Sequence, residues 1–318
     1  MPLNSSSRLA RGYTAALVSA LILSTTGVFI AYLTRTYGLP ALVLAFWRDL
    51  FVMVSLILLL GILRPLLLRV ERAHLPYLLG YGLALSIFNA LWTLSVVLNG
   101  AAVATVLVYC SSAFTALLGW RLLRERLDAV RWLAVAVCLG GCALVAGAYD
   151  PAVWRGNLPA IAAGILSGLL YAVYSLMGRA AAQRGLSPWS TLLYTFGFAA
   201  GFLLLFNLLP FKLPGAAANP GVLLWLGDAW GGWGVLLILA AGPTLAGFGL
   251  YNVSLGYLPS SLANLIVTLE PAFTAVLAYL FLGERLTLVQ LAGSLLILGA
   301  VVLLRIREGR LAVQIASA

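Results

Sequence analysis

The chain has 318 residues, of which 63% are hydrophobic and only 9% charged, and its mean hydropathy is +1.06. A soluble domain carries about 25% charged residues, so this chain cannot cover a water-facing surface. It reads as an all-α integral membrane protein, without the alternating pattern of a membrane β-barrel. The net charge of +10 comes from basic residues placed between apolar runs, where they orient a protein in the bilayer; this excludes nucleic acid as a partner.

Ten apolar runs, each near the roughly 20 residues that cross a hydrocarbon core about 30 Å thick, follow one another. They cover residues 13–33, 41–63, 75–98, 101–121, 128–148, 157–179, 188–209, 233–256, 260–282 and 287–306. The first follows Arg8 and Arg11 and has the length of a span rather than of a cleavable leader. Joins as short as Asn99-Gly100 and Tyr257-Leu258-Pro259 predict tight hairpins. The longest join, Pro210 to Gly232, is rich in Pro, Gly, Ala and Trp and predicts an interfacial segment with a short helix about Trp225 and Trp230. No loop is long enough for a catalytic domain, and no phosphate-cradling Gly-rich loop precedes a helix. His74 is the single histidine, and Cys110, Cys138 and Cys142 lie inside apolar runs without metal-ligand spacing. Neither enzyme chemistry nor a metal or other cofactor is expected.

The chain repeats itself. Ala-Phe-Thr-Ala occurs at Ala113 and Ala272, and Glu-Arg-Leu at Glu125 and Glu284, with the same separation for both pairs. The register continues from Leu139-Gly140 to Leu298-Gly299, which predicts a duplication: residues 13–148 as one repeat and 157–306 as the other. With the N-terminus inside, fourteen arginines fall on the cytoplasmic side, and only Arg35, Arg155, Lys212 and Arg285 fall outside. This bias puts both termini in the cytoplasm of a multi-pass inner-membrane protein. Five spans per repeat is an odd number, so Glu125 ends span 4 inside and Glu284 ends span 9 outside. The repeats are then inverted, the arrangement that serves alternating access to a shared site.

Glu270-Pro271 opening span 9, Leu282-Gly283-Glu284-Arg285-Leu286-Thr287 closing it, and Phe46-Trp47-Arg48 in span 2 resemble the EamA-like family of the drug/metabolite transporter superfamily. The resemblance covers about Tyr13 to Leu304. It implies a secondary transporter of a small-molecule solute, with a cavity lined mainly by spans 1, 3, 4, 6, 8 and 9 and with spans 5 and 10 packed outside. Amino acids or related compounds, moved outward, are the leading class. An exchanger of phosphorylated or nucleotide-linked metabolites would want several Lys/Arg in the cavity, where only Arg48 comes near. A non-transporting receptor would bind solute without flux. The first repeat has Ser111-Ser112 where the second has Glu270-Pro271, so span 4 is expected to lack the proline kink.

Polar stripes at helical spacing mark the candidate substrate contacts. These are Asn89 and Trp92 in span 3 (with Gly82, Ser86 and Thr93), Tyr109 and Ser112 in span 4, Tyr171 and Tyr174 in span 6, Tyr251 and Asn252 in span 8, and Asn264 and Thr268 in span 9. Deep aromatics with few fixed charges suit a neutral or zwitterionic solute. Coupling or gating falls to two ionisable residues inside spans, which are expensive there and need a reason. Glu270 is either a proton-coupling carboxylate or a cover for backbone freed by Pro271, and at 100° per residue it lies off the Asn264/Thr268 face. Arg48 either meets a solute carboxylate, snorkels outward, or pairs with Asp49. Small-residue stripes in span 5 (Ala136, Gly140, Ala143, Gly147) and span 10 (Ala292, Gly299) read as helix-packing faces, and a homodimer through them stays open.

Overall fold

The computed structural model describes residues 5–123, 129–147, 158–210, 213–255, 257–258 and 266–316, and every regular element among them is helical. In chain order these are α1 (Ser5–Tyr37), α2 (Ala41–Leu63), α3 (Leu75–Asn99), α4 (Ala101–Val108), α5 (Ser111–Leu123), α6 (Ala129–Val145) and α7 (Leu158–Gln183). They continue with α8 (Pro188–Leu208), α9 (Trp230–Leu239), α10 (Gly247–Leu255), α11 (Glu270–Leu282) and α12 (Leu288–Ala316). Among the described residues, seven helical stretches are long and apolar enough to cross a membrane, and Trp132–Val145, Glu270–Leu282 and Leu288–Leu304 are shorter apolar helices.

Apolar residues face both inward and outward. Ile30, Leu44, Leu236 and Leu239 are fully buried, while Ile62, Phe281 and Leu288 are 82%, 73% and 85% exposed. Helices apolar all round fit a lipid surround. The main core joins α1, α2, α3, α4 and α9 around Ile30, Leu44, Trp92, Ala101 and Leu239, and a second joins α5, α6 and α12 around Cys138, Cys142 and Ile297. A third binds α2, α3 and α8 through Leu56, Leu85 and Phe196. The Pro210 to Gly232 join folds over the end of the bundle where α1 stops. Its short 3-10 helix covers Pro220–Leu224, earlier than the Trp225/Trp230 centre expected from sequence. Trp225 donates to the Tyr37 carbonyl (2.6 Å) and Trp47 to that of Leu223 (2.6 Å), while Asn207 bridges Leu42 O and Ala217 N.

Two expectations need correcting. Span 4 does bend despite having no proline: α4 gives way to α5 at Tyr109-Cys110, where Tyr109 N, Cys110 N, Ser112 N and Ala113 N all bond the carbonyl three residues back. This local 3-10 tightening pairs these four donors within the chain, without water. The small-residue stripes are also rotated from the faces they were assigned. Ala136, Gly140, Ala143, Ala292 and Gly299 are exposed, and the crossing of α6 and α12 falls at Gly141 and Gly293, where a Cβ on either would stand 2.7 Å from the other's carbonyl oxygen. One residue along a helix is a 100° turn, which is the whole difference.

Gly141→Val should therefore destabilise the purified protein by about 1–3 kcal/mol through overpacking, while Gly140→Val stays within about 0.5 kcal/mol. Thermal unfolding in detergent reads both; equal effects at the two positions would contradict this crossing.

Candidate functional site

The sequence candidates gather in three places. The first lies where α2, α3 and α7 meet. Arg48 and Asp49 are 3% and 0% exposed, so Arg48 neither snorkels nor faces lipid. Its Nε and Nη2 both donate to Asp49 Oδ1 at 3.2 Å, and Asn89 Nδ2 donates to the other oxygen at 2.6 Å. The guanidinium stands 5.7 Å from the Trp92 ring centre. Consecutive residues on a helix diverge by 100°, so Arg48 must fold back to reach Asp49, and it reaches one oxygen rather than forming a two-pronged fork. A charge pair inside a span is tolerable only if paired and hydrogen-bonded, and Asn89 supplies the extra bond.

From this cluster an aromatic ladder runs along the α3–α7 seam. Phe88 stacks near Trp92 (6.4 Å between ring centres) and meets Tyr171 (5.2 Å); Tyr171 lies 6.2 Å from Tyr174, and Tyr174 packs on Tyr81 at 4.8 Å. Tyr77 follows at 6.2 Å from Tyr81, with the Arg184 guanidinium 3.8 Å above its ring. The Gly82/Ser86/Asn89/Thr93 stripe is buried and turned toward α2 and α8: Gly82 abuts Phe198 and Thr195, and Asn89 reaches Asp49.

The second place is between span 4 and span 9. Tyr109, at the bend of span 4, shares its single O–H between Glu270 Oε2 (2.9 Å) and the Val267 carbonyl (3.0 Å). Span 9 also bends here: Thr268 and Leu269 form a turn, and α11 restarts at Glu270 with Leu269 as its cap. The two bends match in backbone, Tyr109 at φ −70°, ψ −11° and Leu269 at φ −75°, ψ −13°. Pro271 thus sits in the first turn of a helix, where its missing N–H costs nothing, and Glu270 sits at a helix N-terminus that favours a carboxylate. The turn also resets helical phase, so the 100°-per-residue argument separating Thr268 from Glu270 fails. Thr268 is buried, and Ser112 and Glu270 are half-buried.

Tyr251 lies apart, packed with Ala16 and Leu258. Asn252 belongs to α10, but its side chain, like all of Asn264, lies outside the described residues.

Sequence reading missed two features. One is a π turn, Ala240–Ala246, that splits span 8 around Pro243, with Thr244 Oγ1 returning a bond to the Leu239 carbonyl (3.1 Å); Gly242-Pro243 in mid-run was the available signal. The other is the role of Glu284. Its two oxygens accept from Ala101 N and Ala102 N, each at 3.1 Å, and it pairs with Arg35 at the end of α1. Gly100 makes this cap possible: its φ is +82°, and a Cβ there would meet the Glu284 carboxylate at 2.8 Å. The carboxylate complements the positive end of α4 and satisfies two of the N–H groups that its first turn leaves unpaired. The repeated Glu-Arg motif was visible in sequence; its partner, a backbone, was not.

The helical scaffold, with seven helices long and apolar enough to cross a membrane among the described residues, is that of a multi-pass membrane protein, and comparison with known proteins gives its family. Residues 10–147 and 158–306 match the EamA-like transporter family, and the chain belongs to it. It is similar to an uncharacterized transporter of Archaeoglobus fulgidus (26% identity over 92% of this chain and 95% of that protein). An uncharacterized transporter of Synechocystis sp. is 30% identical over 71% of this chain and 65% of its own length. The threonine/homoserine exporter RhtA of Escherichia coli K12 is 29% identical over 77% of this chain and 75% of its own. A protein of known crystal structure, 19% identical, superposes over 96% of this chain and 99% of its own with a TM-score of 0.60, so the two share a fold.

Tyr109→Phe should cost about 0.5–1.5 kcal/mol, the net worth of a typical intramolecular hydrogen bond, since its acceptors are half-buried. Glu270→Gln, whose amide oxygen can still accept, should stay within about 1 kcal/mol of the parent. Thermal unfolding of the two variants side by side checks the bond; an undisturbed Tyr109→Phe protein would show that the contact carries no weight.

Proposed function

We propose that this chain is a secondary transporter of the inner membrane that moves a small amino acid outward by alternating access. In this reading residues 13–148 and 157–306, which nearly coincide with the two matched stretches, are inverted five-span repeats, making ten spans with both termini cytoplasmic. The observation that carries it is how the repeats grip each other. Bent span 4 and bent span 9 are bonded at mid-depth through Tyr109 and Glu270, and again at one end through Glu284 and the start of α4. That second grip lies at the end where α1 stops and α4 begins, the outer end by the arginine bias. A conformation held there is closed to the outside, and release requires Glu284 to leave Ala101 and Ala102.

The amino-acid class is supported by similarity to an exporter of threonine and homoserine and by a polar wall in which the buried cation Arg48 is matched by Asp49. Asn89, Trp92, Tyr171 and Tyr174 form the solute-facing wall of the first repeat's side. Tyr109, Ser112 and Thr268 line the bend, and Tyr251, Asn252 and Asn264 serve the inner approach. Glu270 acts as the gate that Tyr109 holds shut. Energy comes from the solute gradient or from protons.

Counterflow in proteoliposomes tests the reading. Vesicles preloaded with unlabelled threonine or homoserine should transiently accumulate the labelled amino acid from outside. Binding without accumulation would make the protein a receptor instead. An imposed pH gradient applied to the parent then separates the two energy sources, and loss of that response in Glu270→Gln would make Glu270 the coupling carboxylate rather than a structural group. The outer grip has its own check, in a background with Cys110, Cys138 and Cys142 replaced by Ser. A cysteine at Ala278, which is fully buried, should react severalfold faster with an impermeant external thiol reagent once Glu284→Ala is introduced. An unchanged rate would mean that Glu284 does not hold the outer end closed.

A further inference from the structure

Arg48 carries five N–H groups and spends two of them, both on one oxygen of Asp49. Among the described residues it has no other hydrogen-bond partner. Trp92, 8% exposed, presents a buried Nε1–H that also has none. Buried donors are nearly always satisfied, and an orphan costs about 1–3 kcal/mol. Here guanidinium and indole N–H groups lie on neighbouring helices, the ring and the cation 5.7 Å apart, and the next residue, Thr93, has a buried hydroxyl that is likewise without a partner among the described residues.

The Asp49 side shows the complementary feature. Its carboxylate is engaged by a folded-back neighbour at 3.2 Å, longer than the 2.7–2.9 Å usual for a charge-assisted bond, and by Asn89 from α3. The pair is therefore a loosely closed couple of opposite charges, neutral overall, beside an aromatic wall. A ligand bearing one anion and one cation on adjacent atoms could part the couple and satisfy both halves without adding net charge to the interior. A purely anionic or cationic ligand would leave one partner buried and unmatched.

Resting on the transport reading above, we propose that Arg48, Asp49 and Trp92 form a zwitterion subsite. The unspent N–H groups of Arg48 and the Trp92 indole take an α-carboxylate, Asp49 takes the adjacent α-ammonium, and Asn89 positions the Asp49 carboxylate. Free α-amino acids are the solute class, and the side chain lies along the Phe88/Tyr171 rings.

The test uses ratios within each protein, so that partial loss of folded material cancels. Competition against labelled L-threonine is measured in proteoliposomes with threonine amide, which lacks the carboxylate, and with 2,3-dihydroxybutyrate, which lacks the ammonium. The parent should prefer threonine to either analogue by about tenfold or more, because a site built to bond a group rejects the analogue without it. In Arg48→Lys the preference over the amide should fall below about threefold while the preference over the hydroxy acid survives; Asp49→Asn should do the reverse. Trp92→Phe, which keeps an aromatic ring but removes the N–H, should weaken only the preference over the amide and serves if the Arg48 variant does not fold. A parent that carries threonine while all three variants keep its full selectivity overturns the subsite and leaves the transport reading standing. A parent that takes no amino acid at all overturns both.

Discussion

Inside a bilayer, a helix that stops or bends strands N–H and C=O groups with no water to receive them, and the structure depends on how each such group is satisfied. At Tyr109-Cys110 the backbone tightens to bonds three residues long. At Pro243 a π turn opens and Thr244 fills the gap. At the Thr268-Leu269 turn the hydroxyl of Tyr109, from the other bent span, takes the Val267 carbonyl, and at the start of α4 the carboxylate of Glu284 takes two amides. The last two solutions are not local. They tie residues from the two halves of the chain, so the points where helices are weakest are also the points where the halves recognise each other.

Much of this was legible in the sequence. Apolar length and the spacing of arginines point to a multi-pass helical membrane protein, and the motifs at Glu270 and Glu284 point to the family to which the chain belongs. What stayed hidden has specific physical causes. Gly140 and Gly141 are adjacent in a run where nearly every residue is apolar, so hydropathy carries no phase to say which faces α12; lipid and protein interior look alike to Leu and Ala. The bend of span 4 has no proline to announce it, because hydrogen-bond tightening needs no particular residue. The Tyr171/Tyr174 stripe was readable, but its direct packing on Phe88 and Tyr81 from α3 was not, since periodicity gives a face and not its partner.

The candidate site illustrates the same limit from the other side. Arg48, Asp49, Asn89 and Trp92 are each conspicuous as polar or amphipathic residues at depth, and all four converge. Their convergence depends on α2 and α3 lying side by side in one register, with Asp49 level with Asn89, which no composition or spacing argument fixes. Tyr251 shows the converse: an equally conspicuous aromatic that packs elsewhere, against the first turns of α1. Burial makes the charged pair expensive, and an apolar replacement of similar volume would be expected to hold the helices at least as well. A pair kept in such a place, with donors left over, is better accounted for by what it can bind than by what it stabilises.

The clasp at Glu284 has an acid on one side and only main-chain amides on the other. Every residue except proline supplies that amide, so positions 101 and 102 can drift through any small apolar side chain while the contact persists. The constraint falls instead on Glu284 and on the left-handed turn at Gly100, which leaves room for the carboxylate. Pairwise covariation between the two sides of such a contact would thus be silent, and its trace in a set of related chains would be an acid and a glycine held fixed far apart in sequence, with nothing between them to say that they touch.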